Sequence, residues 1–175
     1  MVVCLSFILA TYMLGKTTVV GHSMEPTLEN DDSLLVDKVS YCFRQPERYD
    51  VIVFEPAIAN VSKYYVKRIV GLPGETIQII DGVVYINGEP LENDVIYSFG
   101  LKDEAGKPVE PEKIYNAGLA EKPITLGYDE YFVLGDNRNN SEDSRFSNVG
   151  NVKYSAIIGR IWAVSSPFGR MGLVK

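Results

Sequence analysis

The chain has 175 residues, 46% hydrophobic and 23% charged, which is enough for one sizeable core and too few for two large domains. Its net charge of −6, with no basic cluster, excludes a general attraction to nucleic-acid phosphate. Two cysteines, Cys4 and Cys42, make no disulfide framework and cannot complete an ordinary zinc site with the single histidine, His22; no Gly-rich dinucleotide fingerprint or phosphate loop occurs either, so no metal or cofactor is implied.

Residues 1–15 are apolar apart from Ser6, Thr11 and Tyr12, and Lys16 ends the run. A spanning helix needs about 20 such residues, so this run is short by about a turn, and it lacks a basic flank. It reads as a membrane anchor whose start lies upstream, as a cleavable signal peptide without an evident small-x-small site, or as a buried core helix. Beyond Lys16 the pattern is mostly β. Ser33-Leu34-Leu35-Val36, Val51-Ile52-Val53-Phe54, residues 64–70 and Thr76-Ile77-Gln78-Ile79-Ile80 are short runs rich in branched and aromatic residues, bounded by turn formers.

Pro73-Gly74 suits a type II turn, Asp81-Gly82 a two-residue hairpin into Val83-Val84-Tyr85-Ile86, and Asn87-Gly88 a further reversal. Residues 97–125, rich in Pro, Gly, Lys and Glu, read as an irregular excursion. Strands resume at Tyr131-Phe132-Val133-Leu134 and over residues 157–164. Few helices are expected.

Two residues carry the chemistry. Ser23 sits in Gly21-His22-Ser23-Met24-Glu25-Pro26-Thr27-Leu28, and Lys67 in Tyr65-Val66-Lys67-Arg68-Ile69-Val70-Gly71. A serine hydroxyl needs a positioned base, but His22 is its chain neighbour, and neighbours in extended chain point to opposite sides. Lysine is the remaining candidate. Taken alone, the serine turn reads as a polar reversal and Lys67 as a side chain snorkelling to water. Alternation puts Lys67 on the face of Tyr65 and Ile69, with Arg68 on the opposite face and in water. As a base near neutral pH, Lys67 needs its pKa lowered by about 3 units, which desolvation can supply.

With Tyr49-Asp50-Val51-Ile52-Val53-Phe54 and Gly135-Asp136-Asn137-Arg138-Asn139-Asn140-Ser141-Glu142-Asp143-Ser144-Arg145, four segments stand in one order over most of the chain. In these it resembles the bacterial type I signal peptidases, serine-lysine peptidases that remove signal peptides from exported preproteins. The resemblance implies a mainly β protein with a β-barrel-like catalytic core at residues 16–80 and 126–175. A smaller β-rich insertion would occupy residues 81–125, and an N-terminal transmembrane helix residues 1–15.

By the same resemblance, Ser23 is the nucleophile and Lys67 the base. Ser141 hydrogen-bonds and orients Lys67, Asp143 and Arg145 pair to hold the loop, and Asp136 and Arg138 support it. Met24, Leu28, Tyr65 and Val66 occupy the positions of shallow apolar pockets for small substrate residues, although core packing is the commoner fate of such side chains. The Ser23 N–H would face the oxyanion. One branch of the family has a serine two residues before the nucleophile; Gly21 stands there in this chain, leaving the second oxyanion donor open. The implied partners are exported preproteins and the lipid bilayer, with the body on the outer side of a single-pass anchor.

Two other readings remain. A self-cleaving serine-lysine repressor lacks support, since nothing before Ser23 resembles a DNA-binding helix-turn-helix. The other is a membrane-tethered β module that binds an exported partner without cutting it.

Overall fold

The computed structural model describes residues 14–57, 64–91 and 113–174. It is mainly β. The strands are β1 (Leu14–Thr18), β2 (Ser33–Asp37), β3 (Val51–Phe54), β4 (Tyr65–Gly71), β5 (Thr76–Ile80), β6 (Val83–Ile86), β7 (Glu89–Pro90), β8 (Ile124–Thr125), β9 (Glu130–Leu134), β10 (Val152–Lys153), β11 (Ile157–Ser166) and β12 (Gly172–Leu173). The helical segments among the described residues are single 3₁₀ turns.

One sheet of eight strands runs in the order β1-β2-β11-β3-β4-β9-β10, with β12 added on β11, and it curls into a half-barrel. All its pairings are antiparallel. The ten-residue β11 joins β2 to β3 through bulged registers, and such irregularities bend a strand and increase its twist. In the middle, Val51, Ile52, Val53 and Phe54 of β3 are all buried, because a central strand covered on both faces has no solvent side. Each such side chain contributes about 1.5–3 kcal/mol on burial.

The second sheet, β7-β6-β5-β8, is built from the reversals expected in the sequence. Asp81 and Gly82 both have positive φ and link Ile80 to Val83 as a two-residue hairpin. Asn87 and Gly88 repeat the device between β6 and β7. Gly74 at φ +81° and the bond from Glu75 N–H to Leu72 O close the Pro73-Gly74 turn in type II form. Thr76–Ile80, grouped with the core from the sequence, pairs in this smaller sheet instead, since its hairpin partner β6 and its other neighbour β8 both lie there.

β4 organises the interior. Tyr65 packs against a cluster of Ile52, Phe54, Ile69, Tyr131 and Val133, Val66 against Met24, Leu28 and Leu34, and Val70 against Ile77 and Phe132. From Lys67 to Gly71 every residue is buried. The anchor expected over residues 1–15 lies outside the described residues except for Leu14 and Gly15, which begin β1. No helix among the described residues is long and apolar enough to cross a membrane.

Candidate active site

The segment between β1 and β2 carries Ser23 on a short turn. Leu28 N–H donates to Met24 O at 2.9 Å, closing one helical turn, and that spacing puts Met24 and Leu28 on one side, where both are buried in the core. Ser23 is therefore held at the edge of a packed turn. Gly21 has φ +104°, a conformation that L side chains rarely adopt, so this backbone favours glycine where a serine would supply a hydroxyl. The Ser23 N–H donates no hydrogen bond among the described residues.

Lys67 Nζ lies 2.7 Å from Ser23 Oγ and 3.0 Å from the carbonyl of Val66. The lysine is only 4% exposed. Burial pulls its pKa down from 10.5 to about 8, against the opposing pull of Asp143, Asp136 and Glu142. The Tyr65 ring stands 5.4 Å from Nζ and forms one wall of the pocket. His22 turns elsewhere: its Nδ1–H donates to Glu25 Oε1 at 2.7 Å, on an exposed side chain.

The loop after β9 closes over this pair. Gly135 is buried, and a Cβ there would stand 2.1 Å from Ser141 Oγ and 2.4 Å from the Ser23 carbonyl oxygen, so the close approach requires glycine. Asn137 ties the loop to the nucleophile turn twice, with its N–H to Ser23 O at 3.1 Å and its Nδ2 to His22 O at 3.0 Å. Asp143 takes Nε and Nη2 of Arg145, each at 2.8 Å, and also the Gly135 N–H. Arg145 reaches on to Arg138 O at 2.6 Å, while Arg138 Nε donates to Gly135 O.

Two expectations are corrected. Arg68 is not in water: it is fully buried, with Nε and Nη2 bound to the two oxygens of Asp136 at 2.8 and 2.7 Å and Nη1 to Tyr49 O. Alternation assigned the face correctly, but both faces of β4 are covered. Ser141 does not hydrogen-bond Lys67; its buried hydroxyl has no hydrogen-bond partner, being packed against Gly135 while Nζ is taken by Ser23 and Val66.

The other expected site residues distribute simply. Asp136, Arg138, Asp143 and Arg145 are buried and gather in the loop, Tyr65 and Val66 are half-buried beside Lys67, and Met24 and Leu28 belong to the core. Asn137 and Thr27 were missed. Thr27 donates its hydroxyl to Asp136, joining the nucleophile turn to the Arg68 pair. Both contacts span more than 100 residues, and nothing in the local sequence signals them.

The chain is similar to known proteins of one family. The family model for "Signal peptidase, peptidase S26" matches residues 1–165. A signal peptidase I of Leptolyngbya laminosa is 39% identical over 97% of this chain and 77% of its own length. A probable signal peptidase I-2 of Synechocystis sp. (strain ATCC 27184 / PCC 6803 / Kazusa) is 36% identical over 98% and 72%. The crystal structure of a signal peptidase I from Enterococcus faecalis V583 aligns at 34% identity over 67% of this chain and 97% of that one, with a TM-score of 0.47. With a family match across nearly its whole length and relatives above 30% identity, the chain belongs to the peptidase S26 signal peptidases and is a serine endopeptidase.

Proposed function

We propose that this chain is a membrane-bound signal peptidase that removes signal peptides from exported preproteins by a Ser23–Lys67 dyad, cutting after small residues. The observation that carries the reading is the 2.7 Å approach of Lys67 Nζ to Ser23 Oγ inside a site that disfavours the ammonium form. Neutral Nζ accepts the Ser23 proton as Oγ attacks the scissile carbonyl carbon. The Ser23 N–H faces the resulting oxyanion. Nζ then protonates the leaving amine, the C–N bond breaks and an ester remains on Oγ. Water attacks that ester while Nζ takes its proton, and the proton returns to Oγ as the acid leaves.

While it holds the proton, Lys67 keeps two N–H donors on Ser23 Oγ and the Val66 carbonyl. Asp136, Arg138, Asp143 and Arg145 keep the loop in place behind it. The substrate enters as an extended strand, its small residues meeting the half-buried Tyr65 and Val66. The test is cleavage of a labelled preprotein, with the new N-terminus read by mass spectrometry. Wild type is expected to cut once after a small residue and Ser23→Ala to leave the preprotein intact; wild-type turnover by the variant would remove the assignment.

Attachment to the cell membrane rests on the apolar run at residues 1–15 and on exposed apolar side chains, and the outer placement of the body rests on the resemblance to signal peptidases alone. Val20, Phe168, Met171 and Leu173 are all exposed. Val19 N–H donates to Asp32 O and Arg170 reaches the Asp32 carboxylate at 3.0 Å, so the end of β1 and the C-terminal turn meet there. A charge in a membrane helix costs about 2.5–3.5 kcal/mol on insertion scales. Replacing Leu5 and Leu9 together by lysine is expected to cut the fraction floated with lipid vesicles severalfold; unchanged flotation would count against the anchor.

A further inference from the structure

Three acids bear on Lys67, and they are not equivalent. Asp143 is held by Arg145 and Asp136 by Arg68, both in buried bidentate pairs, so removing either acid would strand a buried guanidinium. Glu142 is exposed. Among the described residues it is bound only by neutral groups: the Tyr65 hydroxyl donates to Oε2 at 2.9 Å and the Asn148 amide to Oε1. No cation pairs with it among those residues.

The same contact fixes Tyr65. Its ring packs edge-on to Phe54 at 6.1 Å and lies over the lysine amine, while its hydroxyl is tied to the loop after β9 through Glu142. A loop residue with a free charge thus holds the wall of the lysine pocket.

We propose that Glu142 is a positioning residue for the reaction: its carboxylate ties Tyr65 across the mouth of the Lys67 pocket and places one uncompensated negative charge beside the amine. The proposal rests on the reading of Lys67 as the base. The two effects oppose each other. Excluding water disfavours the ammonium form, whereas a nearby carboxylate favours it. The tether and the charge can therefore be separated by the direction in which activity moves with pH.

Glu142→Gln keeps an oxygen to accept the Tyr65 hydroxyl, and a flipped Asn148 amide can accept from its NH₂. Only the charge is lost. The remaining groups around Nζ are unchanged: Ser23 on the nucleophile turn with the His22–Glu25 pair farther out, uncharged Ile52 opposite on β3, and Asp136 and Asp143 with their arginines. With less to favour the ammonium, the acid limb of kcat/KM is expected to fall by about half a pH unit at low salt, giving about threefold more activity below the limb. Tyr65→Phe keeps ring and charge but cuts the tether. Water then reaches the amine, and the limb is expected to rise.

The experiment measures kcat/KM against pH at about 20 mM and about 500 mM salt for wild type, Glu142→Gln and Tyr65→Phe, with the Lys67 amine titrated in parallel by NMR of ¹³C-labelled lysine. Salt should move the wild-type limb toward that of Glu142→Gln, because an exposed carboxylate is screened. Coincident limbs and coincident NMR titrations for wild type and Glu142→Gln at low salt would overturn the role of Glu142. If the wild-type limb does not follow the Lys67 titration, the assignment of the base fails instead, whatever Glu142 does.

Discussion

Lys67→Arg is expected to be inactive at every pH at which the protein stays folded, and Lys67→Met inactive but more stable than wild type below about pH 8. A guanidinium does not deprotonate in proteins and cannot accept the Ser23 proton, although it keeps the positive charge and the hydrogen-bonding capacity. Wild-type activity should rise with pH through an apparent pKa near 8, the value to which burial brings Lys67. The stability prediction runs the other way. The folded pKa of about 8 lies below the ordinary 10.5, so between the two the unfolded chain binds more protons, and wild-type stability rises with pH across that window. The gap corresponds to about 3 kcal/mol, a cost fully present below about pH 8 and gone above about 10.5. Methionine fills the pocket without a group to ionise. Melting temperatures of wild type and Lys67→Met should therefore differ near pH 7 and converge near pH 10.5. A constant difference, or turnover by the arginine variant, would show that Lys67 is neither desolvated nor the base.

What could be read in advance follows the range of the forces involved. The runs at Ser33, Val51, Thr76 and Tyr131 became strands within a residue of their expected ends, because short apolar runs rich in branched and aromatic side chains, bounded by turn formers, state their preference locally. Asp81-Gly82 and Asn87-Gly88 became hairpin turns for an equally local reason, the ease with which these residues take positive φ. Leu14–Thr18 was not foreseen as a strand. It holds its place by pairing with Ser33–Asp37, which no window around Lys16 contains.

The site divides along the same line. Ser23 and Lys67 are 44 residues apart, and in the sequence only the match to a known pattern joins them. Arg68 failed for the complementary reason. Alternation tells which side of β4 a residue takes but not whether that side is wet, and the acid that neutralises Arg68 lies 68 residues away. Ser141 lies in the loop after β9, yet whether it bonds Lys67 depends on a rotamer and on which acceptors Nζ has already taken, and neither is a property of sequence spacing.

Asp136→Asn is expected to cost about 3–5 kcal/mol of stability, the largest loss among single changes in this loop, because it leaves Arg68 as a buried cation without its counter-charge. Asparagine keeps the shape and one acceptor oxygen, so any loss reports charge and the hydrogen bonds of the second oxygen rather than packing. Activity should fall with it, by at least tenfold where the variant remains folded. Arg68 follows Lys67 directly, and Thr27, four residues after Ser23, donates to Asp136, so the ion pair spaces nucleophile turn against base strand. The double variant Arg68→Met with Asp136→Leu separates the two contributions. With both charges gone and the volume refilled, stability should recover by at least half of the single-variant loss, whereas turnover should stay low because the two segments are no longer tied. Urea unfolding at constant m-value reads the first quantity and peptide cleavage the second. A single variant within about 1 kcal/mol of wild type would mean that water or another group compensates Arg68, and full activity in the double variant would mean that the pair stabilises the fold without setting the distance between Ser23 and Lys67.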